Sequence, residues 1–199
     1  MYDVLIVGGG PAGQSAAIFT SKAGKKTLVL DDGKGLTQRA WVRNHYGVED
    51  IAGGDLVAIG RKQAESFGTE FKKANVINIV RDGDVFKAHT EGGEVYEAKH
   101  VILATGANTR LAETIGLETK PGVEPYVKKT IAVDGEGRTS QPGIWAAGTA
   151  GGVSVHTIIT SGDGARVAVN LLSELEGSRH VDHDSLKDKP EASKRDMGK

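Results

Sequence analysis

The sequence predicts an α/β fold: a parallel sheet of about five strands with helices, and a three-stranded antiparallel meander packed across it. Three observations carry this. The chain opens on a buried-strand run, a helix-forming run and a second buried-strand run, the order of a βαβ unit. Residues 69–100 switch to short strands separated by tight-turn sequences. Apolar runs of strand type then return at Val101–Ala104, Thr130–Val133 and Ile144–Ala147.

Taken in order, Val4–Val7 is uninterruptedly apolar, as a strand covered on both faces must be. Pro11–Ala23 has helical composition, and Thr27–Leu30 is a second buried strand. Asp31–Asp50 is polar and irregular, and carries Trp41, His45 and Tyr46. Gly54–Gly68 reads as an amphipathic helix with Leu56, Ile59, Ala64 and Phe67 roughly on one side. "TEFKKANVINIV", "DVFKAHT" and "EVYEAKH" follow as the meander, divided by the turn sequences "RDGD" and "EGGE". Residues 107–129 read as a loop with at most one helical turn. From about residue 156 to Glu176 a closing helix offers Ile158, Ile159, Ala165, Val169 and Leu172 for packing. The organisation expected is one domain over 1–176, with the meander inserted at 69–100, and a flexible polar tail over 177–199.

Composition narrows the function classes. At 199 residues, with 38% hydrophobic and 26% charged residues, the chain can bury a core without disulfide or metal staples. Its 28 glycines sit mostly at the ends of apolar runs, which favours nucleotide-type loops over low complexity. A net charge of −1 gives no reason to expect nucleic-acid or membrane attraction. No apolar run approaches the ~20 residues of a membrane span, and no signal-peptide pattern is visible, so a cytoplasmic location is expected. With no cysteine, these residues hold no disulfide, thiolate metal site, cysteine nucleophile or dithiol pair. Of the six histidines, only His180 and His183 have a metal-like spacing, and they sit in the polar tail, so no metal is expected.

Gly8, Gly10 and Gly13 spell G-x-G-x-x-G directly after a strand, with Pro11 opening the helix. The first glycine permits the tight turn, the second lets backbone approach a pyrophosphate, and the third lets helix and strand pack closely. The helix N-terminus adds amides and positive dipole. Asp31, 18 positions beyond Gly13 at the end of the second strand, has the reach of a residue that binds a ribose hydroxyl pair. The competing reading is a glycine turn in an unliganded α/β domain. The motif alone does not separate NAD from FAD.

"VLIVGGGPAGQSAAIFTSKAGKKTLVLDD", followed by "VILATGA" and "TSQPGIWAAGT", resembles the FAD domain of the pyridine-nucleotide disulfide oxidoreductases, closest to the low-molecular-weight thioredoxin reductases. The resemblance runs from Met1 to about Glu176 and implies a single Rossmann-like FAD-binding domain. It places Gly8, Gly10, Pro11, Ala12 and Gly13 at the pyrophosphate, and Asp31 at the adenosine ribose with Asp32 and Gly35 just beyond. Val76 matches the position whose backbone meets the adenine. Asn44, in "VRNHYG", matches the Asn of the family's "ENWPG"-like segment beside the flavin. Ala104, Thr105 and Gly106 match the family's "ATG" turn, and Gly148 matches the glycine of its "AAGD". Val155, His156 and Thr157 open the last helix, whose amides would face the flavin's pyrimidine carbonyl. One flavin would thus span both glycine corners.

Two departures matter. In the family, an NADPH-binding domain with its own glycine fingerprint and a redox-active C-x-x-C lies between the second and third motifs. Here only 33 residues separate Gly106 from Ser140, and none spells a βαβ unit. The family's dithiol relay is therefore missing, and electrons must come from free NAD(P)H, a redox partner protein or a small reductant. Thr149 stands where the family has the Asp that accepts a ribityl hydrogen bond, at a cost of about 1 kcal/mol from lost charge assistance.

Several residues support two readings each. His45 and Tyr46 read either as a proton donor and a stacking group at the flavin or as a surface loop. Trp41 reads as a ring cover or a local plug. His156 reads as a donor to the flavin carbonyl or as a source of a backbone amide alone. Lys34, Arg39 and Arg43 read as phosphate or partner contacts or as a solvated loop, and His89 and His100 read as structural. The leading expectation is a stand-alone FAD-dependent oxidoreductase, a homodimer by resemblance, with His45 and His156 as the candidate catalytic side chains. The alternative is an FAD-binding subunit or sensor that acts only with a partner.

Overall fold

The computed structural model describes residues 1–185. The opening βαβ unit is β1 (Tyr2–Val7), α1 (Pro11–Lys22) and β2 (Thr27–Asp31), with the two strands paired in parallel. A 3₁₀ turn at Leu36–Arg39 follows, then the two-residue strands β3 (Trp41–Val42) and β4 (Ile51–Ala52), which pair antiparallel and tie off the irregular segment. Next come α2 (Gly53–Ser66), β5 (Glu70–Lys73), β6 (Val76–Asp82), β7 (Val85–Thr90) and β8 (Val95–Leu103). The chain closes through the short α3 (Arg110–Thr114), the hairpin of β9 (Thr119–Pro121) and β10 (Lys129–Ile131), β11 (Ile144–Ala146), a 3₁₀ turn at Gly148–Gly151 and α4 (Thr157–Glu176).

The main sheet runs β5-β2-β1-β8-β7-β6, with β11 also paired to β8. Five of its strands, β5, β2, β1, β8 and β11, are mutually parallel. Its middle is buried on both faces, and side chains alternate between them as strand pleating requires. Leu5, Val7, Leu28 and Leu103 face one core with Phe86 and Ile144. Val4, Ile6, Val29 and Ile102 face the other with Trp145, Val167 and Leu171.

The meander differs from its sequence reading in two ways. "TEFKKANVINIV" is not one strand: Glu70–Lys73 pairs in parallel with β2, and only Val76–Asp82 belongs to the meander. Ala74 bridges the two by donating its amide to the Asp31 carbonyl at 2.9 Å. Conversely, "EVYEAKH" and "VILA" form one strand. The first part of β8 pairs antiparallel with β7, and its last three residues pair in parallel with β11. The meander is therefore hydrogen-bonded into the main sheet.

Two helix faces are also rotated from expectation. On α4, Leu172 is buried as expected, but Ile158 and Ile159 are exposed, and Thr160, Gly164, Val167, Ala168 and Leu171 are buried instead. The reason is close approach: a Cβ on Gly164 would sit 2.0 Å from the Ala12 carbonyl oxygen. On α2, Ile59 and Phe67 are exposed while Ala64 is buried. Gln14 of α1 packs at Gly60 and donates its side-chain amide to the Val57 carbonyl at 2.9 Å. The first residues of the expected tail run back over the helices. Lys22 pairs with Asp182 at 2.5 Å, and Arg179 donates to Asn170 at 2.8 Å. The remainder of that stretch, 186–199, lies outside the described residues.

Candidate functional site

The first glycine corner is built by contacts that no side chain would permit. Gly8 has φ +108°, and a Cβ there would meet the Ala104 carbonyl oxygen at 2.3 Å. Gly13 faces the Gly8 carbonyl oxygen at 1.9 Å by the same construction, so helix and strand touch through backbone. Around Gly10, by contrast, a Cβ would find no protein atom within 4 Å. Gly10 is the N-cap of α1 and supplies no side chain to the helix amides. The site thus presents open space at an uncapped helix N-terminus, the arrangement that accepts a phosphate.

Asp31 lies beside this corner. Its Oδ1 accepts the Gly9 amide at 2.9 Å, and its Oδ2 accepts the Gly33 amide at 3.2 Å. These bonds fix the carboxylate while leaving lone pairs on both oxygens. Gly9 was not singled out by sequence, because it falls at an "x" of the motif. A Cβ at Gly9 would sit 2.8 Å from the Asp31 Cγ, so the middle glycine of the Gly8–Gly10 run admits the acid. A cleft between the two is lined by Gly9, Gly10, Asp31, Gly35 and Thr37. Asp32 turns away, its Oδ1 accepting the Lys34 amide at 2.9 Å.

The second corner adjoins the first. Gly148, at φ +69°, places its Cβ position 2.7 Å from the Ala12 Cβ, and Gly164 of α4 meets the same residue's backbone. Ala12 is therefore approached by two elements, the Gly148–Gly151 turn and α4, so the second corner packs directly on the start of α1. α4 begins at Thr157 with His156 as N-cap and no side-chain cap. The His156 imidazole is exposed and bonds instead to Ser154 Oγ at 2.8 Å. His45 Nδ1 lies 3.0 Å from Thr157 Oγ1, which docks the β3–β4 loop onto the start of α4.

Asp163 is a residue of the second corner that sequence reasoning missed. It is buried on α4, and its Oδ2 accepts the Gly148 amide at 2.7 Å. Its Oδ1 accepts from Arg166 Nε at 3.0 Å and Nη2 at 2.8 Å. A carboxylate thus pins the second corner from behind. The signal was an acidic residue on the face a helix uses for close packing, visible only once that face is known.

The other predicted residues fall as follows. Ala104, just after β8, donates its amide to the Val7 carbonyl at 2.8 Å and lies beside Gly8. Thr105 donates its hydroxyl to the Asn108 carbonyl at 2.7 Å, and Gly106 turns at φ +62°. Val76 is buried at the start of β6, next to a register shift. Thr149 is buried in the second corner. Asn44, Val155, Trp41 and Tyr46 are exposed, as are Lys34, Arg39 and Arg43. Among the described residues, no group of three or more His, Cys, Asp or Glu could hold a metal. No helix there is long and apolar enough to cross a membrane.

Residues 2–129 match the pattern of the family described as pyridine nucleotide-disulphide oxidoreductase. The chain belongs to that family. Its cofactor is FAD, and the donor set fits it: an open phosphate corner has a pinned carboxylate beside it, and a second backbone corner packs against Ala12. Among curated proteins, the chain is similar to a thioredoxin reductase of Aquifex aeolicus, 42% identical over 124 residues, covering 59% of this chain and 38% of that one. A thioredoxin reductase of Listeria monocytogenes is 38% identical over 125 residues, covering 61% and 39%. The matched segment thus spans about two-fifths of those relatives' lengths. Among solved structures, a thioredoxin reductase from Gloeobacter violaceus superposes with a TM-score of 0.79 at 19% identity, covering 92% of this chain and 98% of that one. An atypical thioredoxin reductase from Desulfovibrio vulgaris Hildenborough gives 0.78 at 19%, covering 89% and 99%. At such identities these structures speak to the fold alone.

Proposed function

We propose that this chain is a thioredoxin-reductase-like, FAD-dependent oxidoreductase that passes electrons from an external donor to an acceptor without a dithiol relay of its own. The observation that carries the reading is the contact of the two glycine corners at Ala12, which supports their serving as one ligand's cradle. The α1 amides beyond Gly10, with Ala12 and Gly13, hold the pyrophosphate, and Asp31 accepts from the adenosine ribose. Gly35 and Val76 border the adenosine, while Ala104, Thr105 and Gly106 back the middle of the cofactor. Gly148, Thr149 and the amides of Val155–Thr157, leading into α4, meet the ribityl and flavin end, with Asn44 and His45 closing over it. When bound, FAD supplies the electron-accepting centre, and the protein supplies position and electrostatics. His45 and His156 are the nearest candidates for moving a proton there.

Absence of cysteine from all 199 residues favours a second reading, in which the chain is an FAD-binding subunit or sensor completed by a partner. A cytoplasmic location and a homodimer belong to the proposal, the latter consistent with exposed Val155, Ile158 and Ile159 at the start of α4. Steady-state oxidation of NADH and NADPH by the purified, flavin-loaded protein separates the two. Turnover with oxygen or an artificial acceptor supports the enzyme. Consumption no faster than buffer with both donors supports the module.

A further inference from the structure

A second cleft, of about 380 Å³, opens between the start of α3 and the β9–β10 hairpin, lined by Asn108, Arg110, Glu113, Tyr126, Lys128 and Lys129. Its lining starts at Ala107, directly after the Thr105–Gly106 turn, and the Thr105 hydroxyl donates to the Asn108 carbonyl at its edge. Three cations line it against one carboxylate. Glu113 is taken by Lys129 at 2.7 Å, and neither Arg110 nor Lys128 has an ion-pair partner among the described residues. α3 buries Leu111 and Ala112, which leaves Arg110 and Glu113 on the cleft side.

Tyr126 is the other unusual feature. It is fully exposed and is the one non-glycine residue with positive φ, +68°, among the described residues. The hairpin tip does not let it relax. Its neighbour Val127 is buried and donates its amide to the Glu124 carbonyl at 3.1 Å, and the Gly122 amide bonds the Lys128 carbonyl at 3.0 Å. Strained backbone held in place by its surroundings collects at ligand sites, and here it displays a bare aromatic ring at the rim of a cationic cleft.

We propose that this cleft binds a nucleoside phosphate, with Arg110 and Lys128 on the phosphate and the Tyr126 ring stacked on the base. A guanidinium fork and an ammonium suit phosphate oxygens, and a π-face suits any base. The volume lies at the small end of ligand pockets and fits one nucleotide unit rather than a dinucleotide. This site is independent of the flavin reading.

The test is calorimetric titration of ADP, adenosine and inorganic phosphate into FAD-loaded protein, and again into Gly10→Val protein, in which the first glycine corner is blocked. ADP binds one per chain in both, more tightly than adenosine or phosphate. Arg110→Ala and Lys128→Ala each weaken ADP about tenfold or more, as loss of a charged hydrogen bond does. Tyr126→Gly, which keeps the backbone conformation, weakens ADP and adenosine but not phosphate. None of the three changes the amount of FAD retained. The proposal is overturned if ADP gives no binding up to millimolar concentration, or if its affinity is indifferent to all three variants. Displacement of ADP by FAD, or binding of polyglutamate with none of ADP, overturns it too.

Discussion

Replacing Asp163 by alanine isolates the contact that holds the second glycine corner. The carboxylate accepts the Gly148 amide at 2.7 Å inside the protein, and Asp163→Ala leaves that amide buried without an acceptor. A hydrogen bond to a charged group contributes about 1.5–3 kcal/mol. The Arg166 side chain is 39% exposed and also donates to the Gly135 carbonyl, so its lost pairing adds no more than about 1 kcal/mol. The expected destabilisation is about 1.5–4 kcal/mol, within the stability of an ordinary domain. FAD affinity falls at least about tenfold, because Gly148 is no longer held at its positive φ. Asp163→Asn keeps a carbonyl for the Gly148 amide and costs about 1 kcal/mol. Urea unfolding gives the stability, and flavin fluorescence titration gives the affinity. If Asp163→Ala unfolds at the wild-type midpoint and binds FAD as tightly, Asp163 does not position the corner.

Other expectations follow from the same geometry. Asp31→Ala strips the Gly9 and Gly33 amides of their acceptor and removes the ribose ligand, so FAD affinity drops by about two orders of magnitude, read by the same titration. Equal affinity in the variant would mean that the ribose lies elsewhere. Thr149→Asp restores the acid found in the family and tightens FAD about fivefold to tenfold by charge assistance; weaker binding would show that the threonine is not the ribityl contact. His100 is held below its ordinary pKa, chiefly by burial and against the pull of Glu174, and its Nδ1 has no partner. As pH falls below about 6.5, the unfolded chain therefore takes up this proton before the folded one, and stability declines. His100→Gln removes that part of the decline, and an unchanged difference in urea midpoint between pH 7 and 5.5 would exclude His100 as its source.

The parts of the fold legible in the sequence were those fixed by local rules. β1, α1 and β2 followed from an apolar run, a glycine turn and a second apolar run, and Asp31 from its distance to Gly13. Pairing partners were not local. Glu70–Lys73 has the alternation of a meander strand, and only its hydrogen bonds to β2 make it an edge of the parallel sheet. Nor does sequence mark where β8 changes partner, since no residue of Val95–Leu103 breaks the strand. The packing face of α4 was anticipated only in part: Leu172 is buried as expected, but Ile158 and Ile159 are not, and the rest of the face combines Val167 and Leu171 with the small residues Thr160, Gly164 and Ala168. Close backbone approach selects small residues there, and hydrophobic periodicity is blind to it. Asp163 and Gly9 were overlooked for the same reason: each matters through a neighbour brought close by the fold.

The most direct test is equilibrium titration of FAD into wild-type, Gly10→Val and Asp163→Ala protein, followed by flavin fluorescence. Gly10→Val has room to fold, because no protein atom lies within 4 Å of the new Cβ. One FAD per wild-type chain, abolished by the change at the first corner and weakened by the change behind the second, is the result a shared cradle requires. Two separable binding events, each sensitive to only one of the variants, or a wild type that leaves FAD free, would contradict it.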